Sequence, residues 1–186
     1  MQKLPLFKTA SIGLVSLAIG FTSVSAHAAA SSRHSAVSSK QHGAHSASSS
    51  SVVKMTVNSG VTLDDAAESM RLRANALNMK LVAELPLSSQ VEAITGKPQR
   101  RTTIFQFCDA LTARDLIELD IDFAIYMPCR IALIEDAKGQ AWLVMMDIDV
   151  DALAREKRVP PALKKRIQEV RATLINIMEA GAKGDL

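Results

Sequence analysis

The sequence predicts a single compact α+β domain with a mainly antiparallel sheet, helices on one face of it and an amphipathic helix at the C-terminus. Between residues 52 and 150, some segments alternate apolar and polar residues as strands do, and these segments are separated by others with helical periodicity. Two strand segments, residues 129–135 and 140–146, are separated by a four-residue turn, which is typical of an antiparallel hairpin. This mixture of elements favours an α+β arrangement.

Three further strands and three helices are predicted before the hairpin. In the strand segments apolar and β-branched residues alternate with polar ones, and these segments are residues 52–57, 80–87 and 101–108. The helical segments are residues 63–78, 88–95 and 113–119. Thr62 and Thr112 each precede a helical segment and are suitable N-caps, because a threonine hydroxyl accepts a hydrogen bond from a backbone N–H of the first turn.

The last helix is predicted to begin at Pro160-Pro161, and residues 151–186 form a C-terminal helical extension to the domain at 52–150. Its apolar stripe consists of Leu163, Ile167, Val170, Leu174 and Ile177. Their three- and four-residue spacing places them on one side of a helix, which must be covered. We expect the domain itself to cover the stripe, and a partner chain is the alternative.

The first 28 residues have the three parts of a secretory signal peptide. Lys3 and Lys8 give a positive start, residues 10–21 are mostly apolar, and Ala26 and Ala28 provide the small residues for cleavage after Ala28. The apolar run is shorter than the roughly 20 residues that a membrane-spanning helix needs. The mature protein is therefore expected to be periplasmic or secreted, with no transmembrane span after cleavage.

Residues 29–51 are rich in serine and alanine and are predicted to form a disordered tether. Three of the four histidines, His34, His42 and His45, lie in it, and a loose metal-binding tract is the alternative interpretation. The fourth, His27, lies in the signal peptide, so the folded domain contains no histidine. This excludes Ser/His/Asp catalysis, Cys/His catalysis and histidine-based zinc sites from the domain.

The charge of the chain is small but unevenly distributed. Loss of the signal peptide lowers the formal net charge from +3 to about +1, which gives no case for nucleic-acid binding. Residues 109–151 carry ten acids and three bases, whereas residues 155–171 carry seven bases and two acids. We expect the basic segment to lie against the acidic one, and docking of the basic helix on a partner or an anionic membrane is the alternative.

Three stretches resemble the DUF302 family, a group of small domains of unknown function. They are IFQFCDALTARDLIELD from Ile104, YMPCRIALIED from Tyr126 and QAWLVMMDID from Gln140. Cys108 at a strand end and Cys129 after Met127-Pro128 match the family's two cysteine positions, whereas Asp109-Ala110 replaces the Asn-Pro of many relatives. The resemblance spans residues 61 to about 150. It implies an α+β fold and a homodimer, and it supplies no reaction or cofactor.

Cys108 and Cys129 are the only cysteines, and each lies at the end of a predicted strand. In an exported protein the pair is expected first as a structural disulfide, worth about 3 kcal/mol in the chain-entropy model. The alternative is a thiol site, either redox-active, persulfide-carrying or metal-binding, in which Arg130 and the helix start at Thr112 stabilise a thiolate. The resemblance favours the thiol site, because family members without a signal peptide also carry the pair. Two buried unpaired thiols are the third interpretation.

Other candidate groups are weaker. Asp147, Asp149 and Asp151 begin like a calcium loop, but the sixth position is Ala152 and the twelfth is Arg158, so a strand edge with acids facing water is favoured. Aromatic and sulfur-containing side chains near the hairpin are expected in the core; they are Tyr126, Trp142, Met145 and Met146. No metal-ligand set and no cofactor motif is identified.

These observations favour an exported, homodimeric protein that binds or carries a ligand near the two cysteines, rather than an enzyme. The first alternative is a thiol-dependent redox or sulfur-transfer protein that uses Cys108 and Cys129. The second is a structural interaction module with an inert disulfide, which contacts its partner through the C-terminal helix.

Overall fold

The computed structural model describes residues 51–185, which form a five-stranded sheet whose neighbouring strands are all antiparallel. The strands are β1 (Ser51–Thr56), β2 (Lys80–Leu85), β3 (Thr102–Cys108), β4 (Cys129–Glu135) and β5 (Ala141–Asp147). Their order in the sheet is β1-β5-β4-β3-β2, and β4 and β5 form the predicted hairpin. The predicted signal peptide with its cleavage site, and all of the predicted tether except Ser51, lie outside the described residues.

Helices connect the strands and complete the α+β fold, which confirms the predicted class. They are α1 (Leu63–Ala76), α2 (Leu87–Thr95), α3 (Ala110–Leu119), α4 (Val150–Glu156), α5 (Pro161–Lys183) and a 3₁₀ helix (Ile121–Tyr126) between α3 and β4. In the part of the chain that the structure describes, no helix is both long and apolar enough to cross a membrane.

The helix starts follow from their caps. At α1 the predicted cap is confirmed, since Thr62 Oγ1 accepts a hydrogen bond from the Asp65 N–H at 3.0 Å. The predicted cap of α3 was wrong, because the helix begins at Ala110 and its N-cap is Asp109, whose carboxylate accepts from the Thr112 N–H at 2.7 Å. Aspartate is the better cap at this position, since its negative charge also interacts favourably with the helix dipole.

The two faces of the sheet differ in burial, because successive residues of a strand point to opposite faces. One face is covered by α1 and α5 and carries fully buried Phe105, Phe107, Ile131, Leu133 and Leu143. The opposite face, which we call the open face, is more accessible to solvent. It carries Val52, Leu85, Ile104, Ala132, Val144 and Met146.

Helix α5 is part of the domain core. Leu174, Ile177 and Met178 are at most 4% exposed and belong to the same buried cluster as the sheet residues. Burial of one such side chain contributes about 1.5–3 kcal/mol. Of the apolar stripe predicted on this helix, Leu174 and Ile177 are thus buried by the domain itself, and Leu163, Ile167 and Val170 pack against it partly buried.

Ion pairs join the basic segment to the acidic one, as predicted from the charge distribution. They are Lys157–Asp120 at 2.9 Å, Lys157–Asp122 at 2.5 Å, Lys164–Asp151 at 2.7 Å, Arg166–Asp115 at 2.5 Å and Arg171–Asp147 at 2.6 Å. Exposed pairs of this kind are individually weak, but together they connect α4 and α5 to the rest of the domain. Partner contact through the C-terminal helix stays a prediction, and much of the charge that suggested it is neutralised within the domain.

Gly181 marks a close approach of α5 to α1 and the sheet. A Cβ atom at this position would lie 2.7 Å from Met70 Cγ and 3.2 Å from both the Ala66 carbonyl oxygen and Leu143 Cδ1. In an uncrowded helix, alanine in place of glycine stabilises by about 1 kcal/mol, whereas overpacking costs about 1–3 kcal/mol. We predict that Gly181→Ala lowers the free energy of unfolding by about 1 kcal/mol net in urea denaturation.

Ala172→Gly on the exposed side of the same helix is the control. It should cost about 1 kcal/mol through helix propensity alone. A higher free energy of unfolding for Gly181→Ala would contradict the close packing of α5.

Candidate functional site

Strands β4 and β5 separate at one end of the sheet. Their pairing ends at Ile131 and Met145, although β4 begins two residues earlier at Cys129 and β5 ends two residues later at Asp147. Over these last residues β4 remains paired with β3, and β5 remains paired with β1. The two strands therefore form a fork, with each arm held by its outer neighbour.

An ion pair holds the β5 arm of the fork. Asp147 accepts hydrogen bonds from Arg171 of α5 on both carboxylate oxygens, with Nε–Oδ1 at 2.6 Å and Nη2–Oδ2 at 2.7 Å. A bidentate pair of this kind fixes the orientation of both side chains. The end of β5 is thus held against α5, while the start of β4 follows β3.

A cavity of about 350 Å³, which we call the fork cavity, is lined by residues of both arms. The sheet contributes Val52, Ile104, Cys129, Arg130, Ala132, Val144, Met145 and Met146. Helices and loops contribute Tyr126, Pro128, Ile148, Val150, Ile167, Val170, Arg171 and Leu174. Most of these side chains are apolar, and a mostly apolar cavity of about 300 Å³ or more is typical of a small-molecule site.

Solvent reaches the fork cavity from the open face. Val52 and Met146, which lie opposite each other on β1 and β5, are 54% and 42% exposed. The inner wall is formed by Met145 and Leu174, both 4% exposed and part of the domain core. The cavity therefore has an accessible rim and an apolar interior.

A second pocket of about 80 Å³, the inner pocket, adjoins the fork cavity. The two share Tyr126, Cys129, Ile148, Ile167 and Val170. Buried Leu116 of α3 and Phe123 of the 3₁₀ helix close the inner pocket, and Cys108 and Asp109 also line it. Both cysteines therefore lie at one apolar region at the end of the sheet.

Cys108 and Cys129 are free thiols in the structure. They end neighbouring strands, but in the register of β3 and β4 it is Phe107 that lies opposite Cys129. The two cysteines are therefore offset by one position and are not direct cross-strand partners, although both line the inner pocket. The structural disulfide expected from the sequence is absent from the structure, in which the two cysteines do not lie at disulfide distance.

The surroundings of both thiols favour the protonated form. The pKa of Cys129 is raised to about 11, mainly by burial and further by the neighbouring Cys108. The positive charge of Arg130 lowers this pKa, but by less than burial raises it. The pKa of Cys108 is also raised, first by burial and then by the carboxylate of Asp109. Thiolate, the reactive form, is therefore scarce at neutral pH, and the expected thiolate stabilisation by Arg130 is outweighed by burial.

The three aspartates at and after the end of β5 have separate structural roles. Asp147 binds Arg171, Asp149 caps α4 by accepting from the Ala152 N–H at 2.8 Å, and Asp151 in the first turn of α4 pairs with Lys164. The predicted continuous strand edge was wrong, because the cap at Asp149 starts a helix. Within residues 51–185, no three His, Cys, Asp or Glu side chains are grouped closely enough to hold a metal ion.

Sequence reasoning missed most of the cavity lining. Ile148, Ile167 and Val170 belong to apolar patterns, which indicate burial but not a void beside it. Tyr126 and Met146 were expected in the core, yet both line the fork cavity, and Met146 is 42% exposed.

The fold and the site define the class of protein: a small antiparallel α+β domain with an apolar cavity and two neutral thiols at one end of its sheet. The model of the DUF302 family, a domain of unknown function, matches residues 54–181, and the chain therefore belongs to this family. The match includes α4 and most of α5, so it extends beyond the resemblance at residues 61 to about 150.

One solved structure, of an uncharacterized conserved DUF302 protein from Bacillus stearothermophilus, is similar to this chain with a TM-score of 0.55 and 12% sequence identity. The similarity covers 69% of this chain and 96% of that chain. At this identity the likeness concerns the fold alone. No curated protein matches the chain.

The pKa of Cys129 predicts how this thiol reacts. In a Cys108→Ser variant, burial, the largest cause of the raised pKa of Cys129, remains, so the rate of alkylation by iodoacetamide should rise about tenfold per pH unit from neutral pH to beyond pH 9, because only the thiolate reacts. The rate is measured by intact mass at each pH. Near-UV circular dichroism of Trp142 at each pH is the control for folding, and an alkylation rate that stops rising below pH 9 would contradict the partly buried, neutral thiol.

Proposed function

We propose that the protein binds a small apolar ligand in the fork cavity and acts as a carrier or presenting module rather than as an enzyme. The observation that carries the proposal is the separation of β4 from β5 beyond Ile131 and Met145, with a cavity of about 350 Å³ lined by both arms. A void of this size next to a packed core exposes apolar surface that a ligand would cover, and covering it is favourable by about 25 cal/mol per Å².

The state of the cysteines supports binding over thiol chemistry. A redox or sulfur-transfer site needs an accessible thiolate, whereas burial raises the pKa of both Cys108 and Cys129. The domain also lacks a histidine that would accept the thiol proton. A neutral thiol behaves as a small apolar group, so Cys129 suits the wall of an apolar cavity.

Export and self-association extend this proposal. The N-terminal sequence supports export to the periplasm or the medium, where the ligand would be met. The homodimer implied by the family resemblance stays a prediction. The open face, with exposed Val52, Leu85 and Met146, is the surface available for a second copy.

Filling the fork cavity tests the proposal. Ala132 lines the cavity on the open face, and Ala132→Phe should place a phenyl ring where the ligand would lie. We predict that the purified protein binds N-phenylnaphthylamine, an uncharged apolar dye that fluoresces in apolar surroundings. The variant should bind it at least about tenfold more weakly, a loss of about 1.4 kcal/mol.

Ala83→Phe is the matched control, because Ala83 lies on the open face, opposite Gln106, and does not line the cavity. It should bind the dye like the unchanged protein. Equal binding by Ala132→Phe, or equal loss in both variants, would show that the dye does not occupy the fork cavity.

The export proposal predicts the start of the mature chain. Expression of the full chain in a Gram-negative bacterium should give a periplasmic protein whose first residue, determined by N-terminal sequencing, is Ala29. An uncleaved cytoplasmic product would contradict it. An Ala28→Arg variant, which places a large charged residue at the cleavage position, should accumulate as the precursor.

A further inference from the structure

The charged side chains that line the fork cavity are of one sign. They are Arg130 on β4 and Arg171 on α5, and no aspartate or glutamate lines the cavity. An apolar cavity that presents only positive charge favours a ligand with a negative group over an uncharged or cationic ligand of the same shape.

The two arginines differ in their partners. Arg171 is occupied, since both carboxylate oxygens of Asp147 accept its hydrogen bonds. Arg130 is exposed, and within residues 51–185 its guanidinium has no hydrogen bond or ion pair. One cation at the rim of the cavity is therefore free to bind a ligand.

The position of Arg130 indicates where the negative group and the apolar part of such a ligand would lie. Arg130 lies on the open face, next to Cys129 at the start of β4, while Met145 and Leu174 form the buried inner wall. A guanidinium binds a carboxylate with two parallel hydrogen bonds. The ligand that fits has a charged head at the exposed rim and an apolar body in the interior.

From the unpaired Arg130 at the rim of an apolar cavity, we infer that the ligand is a monoanionic amphiphile, a carboxylic acid with a hydrocarbon chain. Arg130 binds the carboxylate and the fork cavity takes the chain. This inference rests on the proposed function and adds the chemical class of the ligand. A single free cation favours one negative charge over two.

The test compares two probes of equal chain length, decanoate and decanol, by isothermal titration at neutral pH and below their micellar or solubility limits. Decanoate should bind about tenfold more tightly than decanol, a difference of about 1.4 kcal/mol, since charge-assisted hydrogen bonds to the guanidinium are stronger than those of a neutral hydroxyl. Arg130→Gln should abolish this preference by weakening decanoate alone.

Lys54→Gln is the matched control, because Lys54 lies on the same face, opposite Val144, but does not line the cavity. It should preserve the tenfold preference. Equal affinity of the two probes, or a preference that survives Arg130→Gln, would overturn the role of Arg130 while leaving an apolar site in place. Failure of both probes to bind would overturn the proposed function itself.

Discussion

The packing of α5 across α1 and the sheet is the constraint on which the rest of the structure depends. It completes the core through Leu174, Ile177 and Met178, and it requires glycine at position 181 because α1 and the sheet approach so closely. In a closely packed protein core, adding or removing a single methyl group changes the stability of the fold. Because the helix cannot shift without losing this core, its other contacts occur at fixed positions.

One of those contacts explains why the sheet opens at its end. Arg171 lies one turn before Leu174 on α5 and binds Asp147 at the end of β5. β4 has no such tie to α5 and remains with β3. The fork thus follows from two strands that are held by different neighbours, and Ile167 and Val170, further toward the start of α5, line the cavity that results.

The fork has a physical cost and no evident structural benefit. The first two residues of β4 and the last two residues of β5 are not paired with each other, although buried backbone groups are usually hydrogen-bonded. Apolar side chains also remain at the rim instead of being packed. Departures of this kind from an optimally packed and paired domain are expected at functional sites, which is why the fork cavity, rather than the thiols, carries the proposed function.

Much of the fold was predictable from the sequence. Alternating apolar residues indicated all five strands, the turn between residues 135 and 140 indicated the hairpin, and Thr62 indicated the start of α1. The opposite charges of the acidic and basic segments indicated that they contact each other. The strands, the hairpin and the helix start depend on residues that are close in sequence, and the contact between the two charged segments depends on their opposite net charge. Patterns of both kinds are visible in the sequence alone.

The site depends on properties that the sequence does not encode locally. Both cysteines were placed correctly at strand ends, but the register, in which Phe107 rather than Cys108 lies opposite Cys129, is set by the pairing of the whole sheet. The 3₁₀ helix at 121–126 was missed because it is too short to show a periodicity. The point at which β4 and β5 lose their pairing depends on α5, so the cavity was not predictable either.

Methyl NMR of the methionines tests the central claim most directly. The chain has eight methionines; Met145 and Met146 line the fork cavity, whereas Met70 and Met178 are fully buried in the core and line neither cavity. With ¹³C-methyl-methionine-labelled protein, titration with N-phenylnaphthylamine should shift the signals of Met145 and Met146 and leave those of Met70 and Met178 in place. Unchanged signals of Met145 and Met146 at saturating dye would contradict a ligand site in the fork.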